Sequence, residues 1–393
     1  MKLLLIKIGK AWHTLRREGL FRGGRRVITA AVALFRWVRP GDILFISGGV
    51  GDSARYRCEH VAEEFALKGY KTSVTVQDNP FLLSYAEQFS VFVFHRVLYT
   101  GQARKLFERL KELKKEIIFE TDDLVYDPQF LVHMDYFQKM NSLERKLYEH
   151  GVGGEILADS AVNVATTTTS FLAEKLRARG KQVFIVPNKL SQHDVELANA
   201  AWHHVSPRHV TCARVGYLSG TPSHNKDFAT ITEALVQLLK QHPDMQLVLT
   251  GPIDTDSAFK DYEAQIERVP LIPREKFFTH IATLDINLAP LELDNPFCES
   301  KSELKFFEAG MVGVPTVAVA NQTFREAIED GVDGYVANGT EEWIEKIGHL
   351  ISDKQARVNM GEKARQTALA RYTTSTNWNE AYGEYIGHSV APH

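Results

Sequence analysis

The sequence predicts an α/β protein made of two doubly wound parallel sheets. Three observations carry that prediction. From Pro40 onward, short β-rich apolar runs alternate with longer amphipathic stretches. The runs are apolar at successive residues, as in strands covered on both faces by helices. The alternation stops at Pro187 and starts again beyond Arg208, so one sheet is followed by a second. Across the crevice that two such sheets form, a ligand is expected at the carboxyl ends of the strands.

The first series of strands is expected at Ile43–Ile46, Ser73–Val76, Val91–Phe94, Ile117–Phe119, Val162–Ala165 and Val183–Val186. Helices are expected at Ser53–Lys68, Gly101–Lys115 and Ser170–Arg179, with Gly69 and Gly180 at helix ends. The second series has strands at Ala213–Tyr217, Gln246–Thr250, Asp285–Ala289, Thr316–Val319 and Gly334–Val336. Its helices are expected at Asp227–Gln241, Lys276–Thr283, Ser302–Gly310, Thr340–Ser352 and Lys354–Arg371. Pro187–Arg208 has mixed polarity and reads as a hinge. The expected domains are therefore 1–39, 40–188 and 189–372, with a last helix in 373–393 returning to the first sheet.

The net charge of -3 conceals an asymmetry. Residues 1–39 hold ten basic side chains and one acid, a charge of +9, and the remainder carries -12. Val27, Ile28, Ala31, Leu34, Phe35 and Val38 recur there at helical spacing. The segment is expected to be a basic amphipathic helix on an anionic membrane surface, or a helix packed on the body with solvated charges. No basic-aromatic pattern continues into the body, so nucleic acid is not an expected partner. Three scattered cysteines, Cys58, Cys212 and Cys298, suit neither a disulfide framework nor a zinc site. No run of eighteen apolar residues offers a membrane span.

The segment richest in chemistry is Asn295–Pro315. A helix starting near Ser302, with Glu303 and Leu304 in its first turn, would aim free N–H groups at an anion. Lys301 and Lys305 lie four residues apart and add positive charge. Glu308 is placed to accept hydrogen bonds from two vicinal hydroxyls. Upstream, Gly220 and Thr221 follow a strand, His224 and Lys226 are candidates for a diphosphate, and Asp227 for a helix cap.

This segment resembles the donor helix of retaining glycosyltransferases of family 4, which have the GT-B fold. Glu308-Ala309 and Gly313-Val314-Pro315 match the second half of that family's motif. The first Glu of the motif would fall at Ser300, and Glu299 is one residue out of register. The run Lys301-Ser-Glu-Leu-Lys-Phe-Phe-Glu-Ala-Gly310 is similar to a subgroup common in bacterial surface-polysaccharide clusters. Tyr217–Phe228, Ile185-Val-Pro-Asn188, Leu249-Thr-Gly251-Pro252, Met360-Gly361 and Tyr372-Thr373 extend the resemblance along most of the chain. The resemblance implies a nucleotide sugar as donor, Glu308 on its ribose, and Lys301 with His224 or Lys226 on its diphosphate. It also implies a reaction that retains anomeric configuration and requires no metal.

In the first half, Ser47-Gly-Gly-Val-Gly51 resembles the GT-B glycine loop, with Gly49 toward the diphosphate. Arg55 and Arg57 resemble a Tyr-Arg element of the subgroup. His95 and Arg96 end one strand, and Asp122 and Asp123 end the next. Acid pairs at strand ends bind hydroxyls, take protons or hold metals. The expected role here is to bind the acceptor, a glycan or lipid-linked glycan at the cytoplasmic face of the membrane. A homo-oligomer or a polysaccharide-assembly partner is compatible with the sequence. So are three other functions: a nucleotide-sugar epimerase or hydrolase, a non-catalytic nucleotide-binding member of an assembly complex, and an unrelated nucleotide-binding module.

Overall fold

The structure, a computed structural model, describes the chain outside residues 1–31, 33, 36, 134–136, 138–144, 146–147, 205–211, 222–223 and 391–393. The basic helix expected within 1–39 therefore falls almost wholly outside the described residues. The chain forms two compact units. Unit 1 runs to Pro187 and resumes at Trp378, and unit 2 is Asn188–Asn377.

Unit 1 holds strands β1 (Ile43–Ser47), β2 (Thr72–Val76), β3 (Val91–His95), β4 (Glu116–Thr121), β5 (Val164–Thr167) and β6 (Gln182–Ile185). They form one parallel sheet in the order β2-β1-β3-β4-β5-β6. Every residue of β1 and β3 is buried, which is why both read as unbroken apolar runs. β5 lies two residues later than expected. Its threonines fit the interior because they are satisfied: Thr166 Oγ1 donates to Glu120 Oε2 (2.7 Å) and Thr167 Oγ1 to the Thr121 carbonyl (2.7 Å).

The final helix, expected within 373–393, is Glu380–Val390. Tyr382 and Ile386 join a core with Ile43, Phe45, Phe65, Val93 and Ile118. Asn379 Nδ2 donates to the Ile185 carbonyl (2.9 Å), and Tyr385 Oη donates to Glu116 Oε1 (2.6 Å). The C-terminal helix is thus part of the first hydrophobic core.

Unit 2 holds β7 (Arg214–Leu218), β8 (Gln246–Thr250), β9 (Ile266–Val269), β10 (Ile286–Ala289), β11 (Thr316–Val319) and β12 (Tyr335–Ala337). Their order is β12-β11-β10-β7-β8-β9, again parallel. Strand β9 escaped the sequence pattern because it is an edge strand with two charged residues, Glu267 and Arg268, at its centre. The expected hinge contains the helix Gln192–His204. Alanines, Ala198 and Ala201, supply much of its buried face, which leaves a weak hydrophobic signal. The helix expected at Asp227–Gln241 is two helices, Asn225–Ala229 and Thr232–Gln241. Thr230 Oγ1 bonds the Asp227 carbonyl (2.7 Å) at the break.

Ile386 is fully buried against the first sheet. Ile386→Ala is expected to lower stability by about 2–5 kcal/mol, as deleting buried methyl groups does. Urea denaturation followed by tryptophan fluorescence measures it.

Candidate functional site

In unit 2 the strand order reverses between β10 and β7. At such a reversal, adjacent loops leave the carboxyl edge in opposite directions and open a crevice. The segments that follow β7 and β10 carry His224, Asp227, Glu292, Cys298 and Lys301.

Asp227 organises this group. It is 2% exposed. Its Oδ2 accepts from Lys301 Nζ (2.6 Å) and lies 2.9 Å from His224 Nδ1. Its Oδ1 accepts from Cys298 Sγ (3.2 Å) and the Glu292 amide (3.3 Å). Burial alone would raise this carboxyl. The His224 hydrogen bond and the Lys301 charge outweigh burial and hold it well below its ordinary range. The sequence pattern suggested Asp227 as a cap, but it sits within Asn225–Ala229 and serves as an ion-pair hub.

His224 is pushed below the ordinary imidazole range, first by burial, against the Asp227 hydrogen bond, with the Lys301 charge adding to burial. A neutral imidazole and a partly exposed ammonium therefore stand side by side, 3.2 Å apart. Lys305, expected beside Lys301 on one helix face, turns inward instead. Its Nζ donates to the Leu218 carbonyl and lies 4.7 Å from the Tyr217 ring centroid. Burial lowers its pKa to about 8. Lys226 and Thr221 are exposed, as is Gly220.

The helix expected at Ser302–Gly310 begins at Leu304, two residues later, and is short. Ser302 Oγ accepts from Asn188 Nδ2 (2.8 Å). Glu303 is buried and hydrogen-bonded to Tyr372, and burial raises its carboxyl. Ser302 thus lies before the helix and Glu303 caps it, rather than both forming its first turn. Ser300, at the position of the family's first Glu, is fully buried and bonds the Phe297 carbonyl (2.8 Å). Glu299 accepts from the Gln322 amide. Glu308 pairs with Arg274, Nη1 to Oε1 2.6 Å. Gly251 adopts φ +95° against the Ser219 carbonyl, where a Cβ would lie 1.9 Å from that oxygen.

Asp227, Glu292 and Cys298 bring one ligand atom each within 4.8 Å of the others. The donor set does not suit a cation. Burial pushes the Cys298 thiol up to about 12, so it donates to Asp227, and Lys301 already neutralises that carboxylate.

Unit 1 has its own reversal, between β1 and β3. Ser53, His95, Arg96, Asp122 and Asp123 meet there. Ser53 Oγ donates to Asp122 Oδ2 (2.8 Å) and lies 2.9 Å from His95 Nε2. Arg96 takes a left-handed backbone, φ +49°. Its Nε bonds Asp122 Oδ1 and its Nη2 pairs with Asp123 Oδ2, both at 2.6 Å. Burial would raise both carboxyls. Arg96 and its cationic neighbours overcome this at Asp122 and lower it, whereas Asp123 stays raised, by burial and with a contribution from the Asp122 charge. Gly49 is exposed with open space around it. The close approach in its loop falls at Gly48, where a Cβ would lie 1.9 Å from the Arg96 carbonyl oxygen. Arg55 pairs with Asp52 (2.7 Å).

Arg57 departs from its expected place on an acceptor surface. It is fully buried within a π-helical stretch, Arg55–His60. Its Nε and Nη2 bond Glu120 Oε1 and Oε2 (2.9 and 2.8 Å), and its Nη1 bonds the Val186 carbonyl (2.7 Å). Its role is to satisfy a buried carboxylate. The sequence pattern does not mark Ser53, whose hydroxyl finds its partners at the ends of two other strands. Nor did it mark Arg274.

Residues 229–382 match the family model described as glycosyl transferase-like. No curated protein matches the chain. Among solved structures, sucrose-phosphate synthase from Thermosynechococcus elongatus is similar at TM-score 0.61 and 14% identity, covering 88% of this chain and 99% of that one. A glycosyltransferase from Rickettsia africae gives 0.59 at 12% identity, over 91% of this chain and 100% of that one. HepE of Anabaena in complex with UDP gives 0.57 at 14% identity, over 88% and 100%. The fold is GT-B. The two Rossmann-like sheets of this GT-B chain each carry a charged cluster at a strand-order reversal.

The depressed Asp227 carboxyl sets the sign of an acid response. The pairing stabilises fully above the ordinary value of 3.8 and is lost as pH falls through the lower folded value. Asp227→Asn is expected to be less stable near neutrality and to lose less on acidification below pH 3.8. Thermal melts from pH 7 to pH 2 report both effects.

Proposed function

We propose that this protein is a glycosyltransferase that takes a sugar from a nucleotide-sugar donor bound on unit 2. The observation that carries the proposal is the pairing of partly exposed Lys301 with His224 on buried Asp227, at the strand-order reversal. Breaking the sugar C1–O bond builds negative charge on the leaving diphosphate, and fixed cations lower the barrier most where they need no reorganisation. Asp227 fixes Lys301 in advance, and exposed Lys226 adds a second cation. Glu308 binds the ribose. The scheme uses no metal, because the lysines neutralise the diphosphate. HepE bound to UDP and to UDP-glucose supports UDP as the nucleotide.

By the family resemblance the transfer retains configuration, with the acceptor attacking from the face of the leaving group. Ser53, His95, Arg96, Asp122 and Asp123 of unit 1 are the proposed acceptor contacts, and Asp123, the carboxyl held high, is suited to hydrogen-bond a sugar hydroxyl. The chemistry to test first is nucleotide release from UDP-, GDP-, dTDP- and CMP-sugars, with and without membrane lipid extract. Release from one donor, stimulated by extract and reduced about 10²–10³-fold in kcat by Lys301→Ala, is the expected result. Binding without turnover for every donor would replace catalysis with a nucleotide-binding role.

The acceptor is proposed to be membrane-proximal, a lipid-linked glycan of the O-antigen or capsule type at the cytoplasmic face. No helix among the described residues is long and apolar enough to cross a membrane. The +9 charge of residues 1–39 supports attachment to anionic lipid. Val32, Phe35 and Trp37 are more than half exposed, and Trp37 packs on partly exposed Phe81 at 5.3 Å. Aromatic and aliphatic groups beside a basic segment suit a headgroup interface. Deleting residues 1–39 is expected to release the protein from phosphatidylglycerol vesicles in flotation assays. Equal flotation of the truncated chain would remove the tether.

A further inference from the structure

Arg274 occupies an unfavourable local position. It opens the helix Arg274–Ile281, where the aligned peptide dipoles already present positive charge. Helix propensity alone does not account for an arginine there. Its partners do. Arg274 Nε bonds Asp194 Oδ1 (2.9 Å), and Nη1 bonds Glu308 Oε1 (2.6 Å). The guanidinium carbon lies 4.9 and 4.8 Å from the ring centroids of Phe277 and Phe278.

The three charged side chains come from three different helices. Asp194 lies in the first turn of Gln192–His204, its amide bonded to Ser191 Oγ (3.1 Å), and is 2% exposed. Glu308 lies on Leu304–Gly310. A guanidinium is a flat fork whose donors point in fixed directions. Gripped on one edge by a buried carboxylate and flanked by two rings, it has little freedom to turn. The Glu308 carboxylate that it holds is fixed in turn.

We infer that Arg274 is a positioning residue for nucleotide recognition: anchored by Asp194, it orients Glu308 for the ribose 2′- and 3′-hydroxyls and so sets the preference for ribose over deoxyribose. The inference rests on Glu308 as the ribose ligand, as proposed above. An ion pair that only fastens helices would affect stability, and would weaken ribose and deoxyribose nucleotides alike.

The test is calorimetric titration of the full chain with UDP and with 2′-deoxy-UDP. The original chain is expected to favour UDP by on the order of tenfold or more, the value of a hydrogen bond to a charged group. Glu308→Gln and Arg274→Met should each bring that ratio close to unity. Arg274→Lys keeps the charge without the fork and should restore it only in part. It also serves as the test variant if Arg274→Met does not fold, since full retention of the ratio in Arg274→Lys would overturn the inference. Asp194→Asn should lower the ratio while UDP still binds. If Glu308→Gln loses the preference and Arg274→Met keeps it, the positioning role is wrong and the ribose assignment stands. If Glu308→Gln keeps the preference, or the original chain shows none, the ribose assignment fails and takes the inference with it.

Discussion

A carboxylate buried at or beyond the carboxyl end of a parallel strand must find a cation, and much of the polar architecture of this protein follows from that requirement. An isolated ionised carboxylate in a protein interior costs several kcal/mol after relaxation, more than a typical surface contact returns. Unit 2 meets the requirement at Asp227 with Lys301, supported by His224 and Cys298. Unit 1 meets it at Glu120 with the bidentate grip of Arg57 and a bond from Thr166. These pairs link segments far apart in sequence, and they lie at the strand ends where an α/β sheet receives ligands.

The two clusters differ in what they leave accessible. Arg57 and Glu120 are sealed, at 0% and 2% side-chain exposure, so their pairing is structural. Lys301 retains 32% exposure over an Asp227 that is almost wholly enclosed. A buried anion holding a partly exposed cation is preorganised: the ammonium needs no large rearrangement before it meets a negative ligand. Arg96 with Asp122 and Asp123 is intermediate, and the positive φ at Arg96 is the local strain accepted to aim that side chain.

Several residues of Asn295–Pro315 are engaged in the protein's own packing. Ser300 lies in the interior and Glu303 bonds Tyr372. Glu299, one residue earlier, accepts from the Gln322 amide. Glu308 is held by Arg274, an arginine that lies outside this segment.

The sequence by itself determined the architecture. Unbroken apolar runs at β1, β3, β8 and β11 require cover on both faces, and their alternation with helices fixes a parallel sheet. It also located the informative segments, Tyr217–Phe228 and Asn295–Pro315, because loops after strands carry the polar residues a binding site needs. It did not separate neighbours within them. Lys301 and Lys305 look equivalent at a spacing of four, yet one reaches outward and the other is folded beneath Tyr217. Arg55 and Arg57 look equivalent too, until a π-helical stretch turns Arg57 inward. Side-chain direction and burial depend on contacts with distant strands, and so does the pairing of Arg274 with Asp194 and Glu308. Only the tertiary structure decided these, because spacing along a chain records what is near in sequence and burial depends on what is near in space.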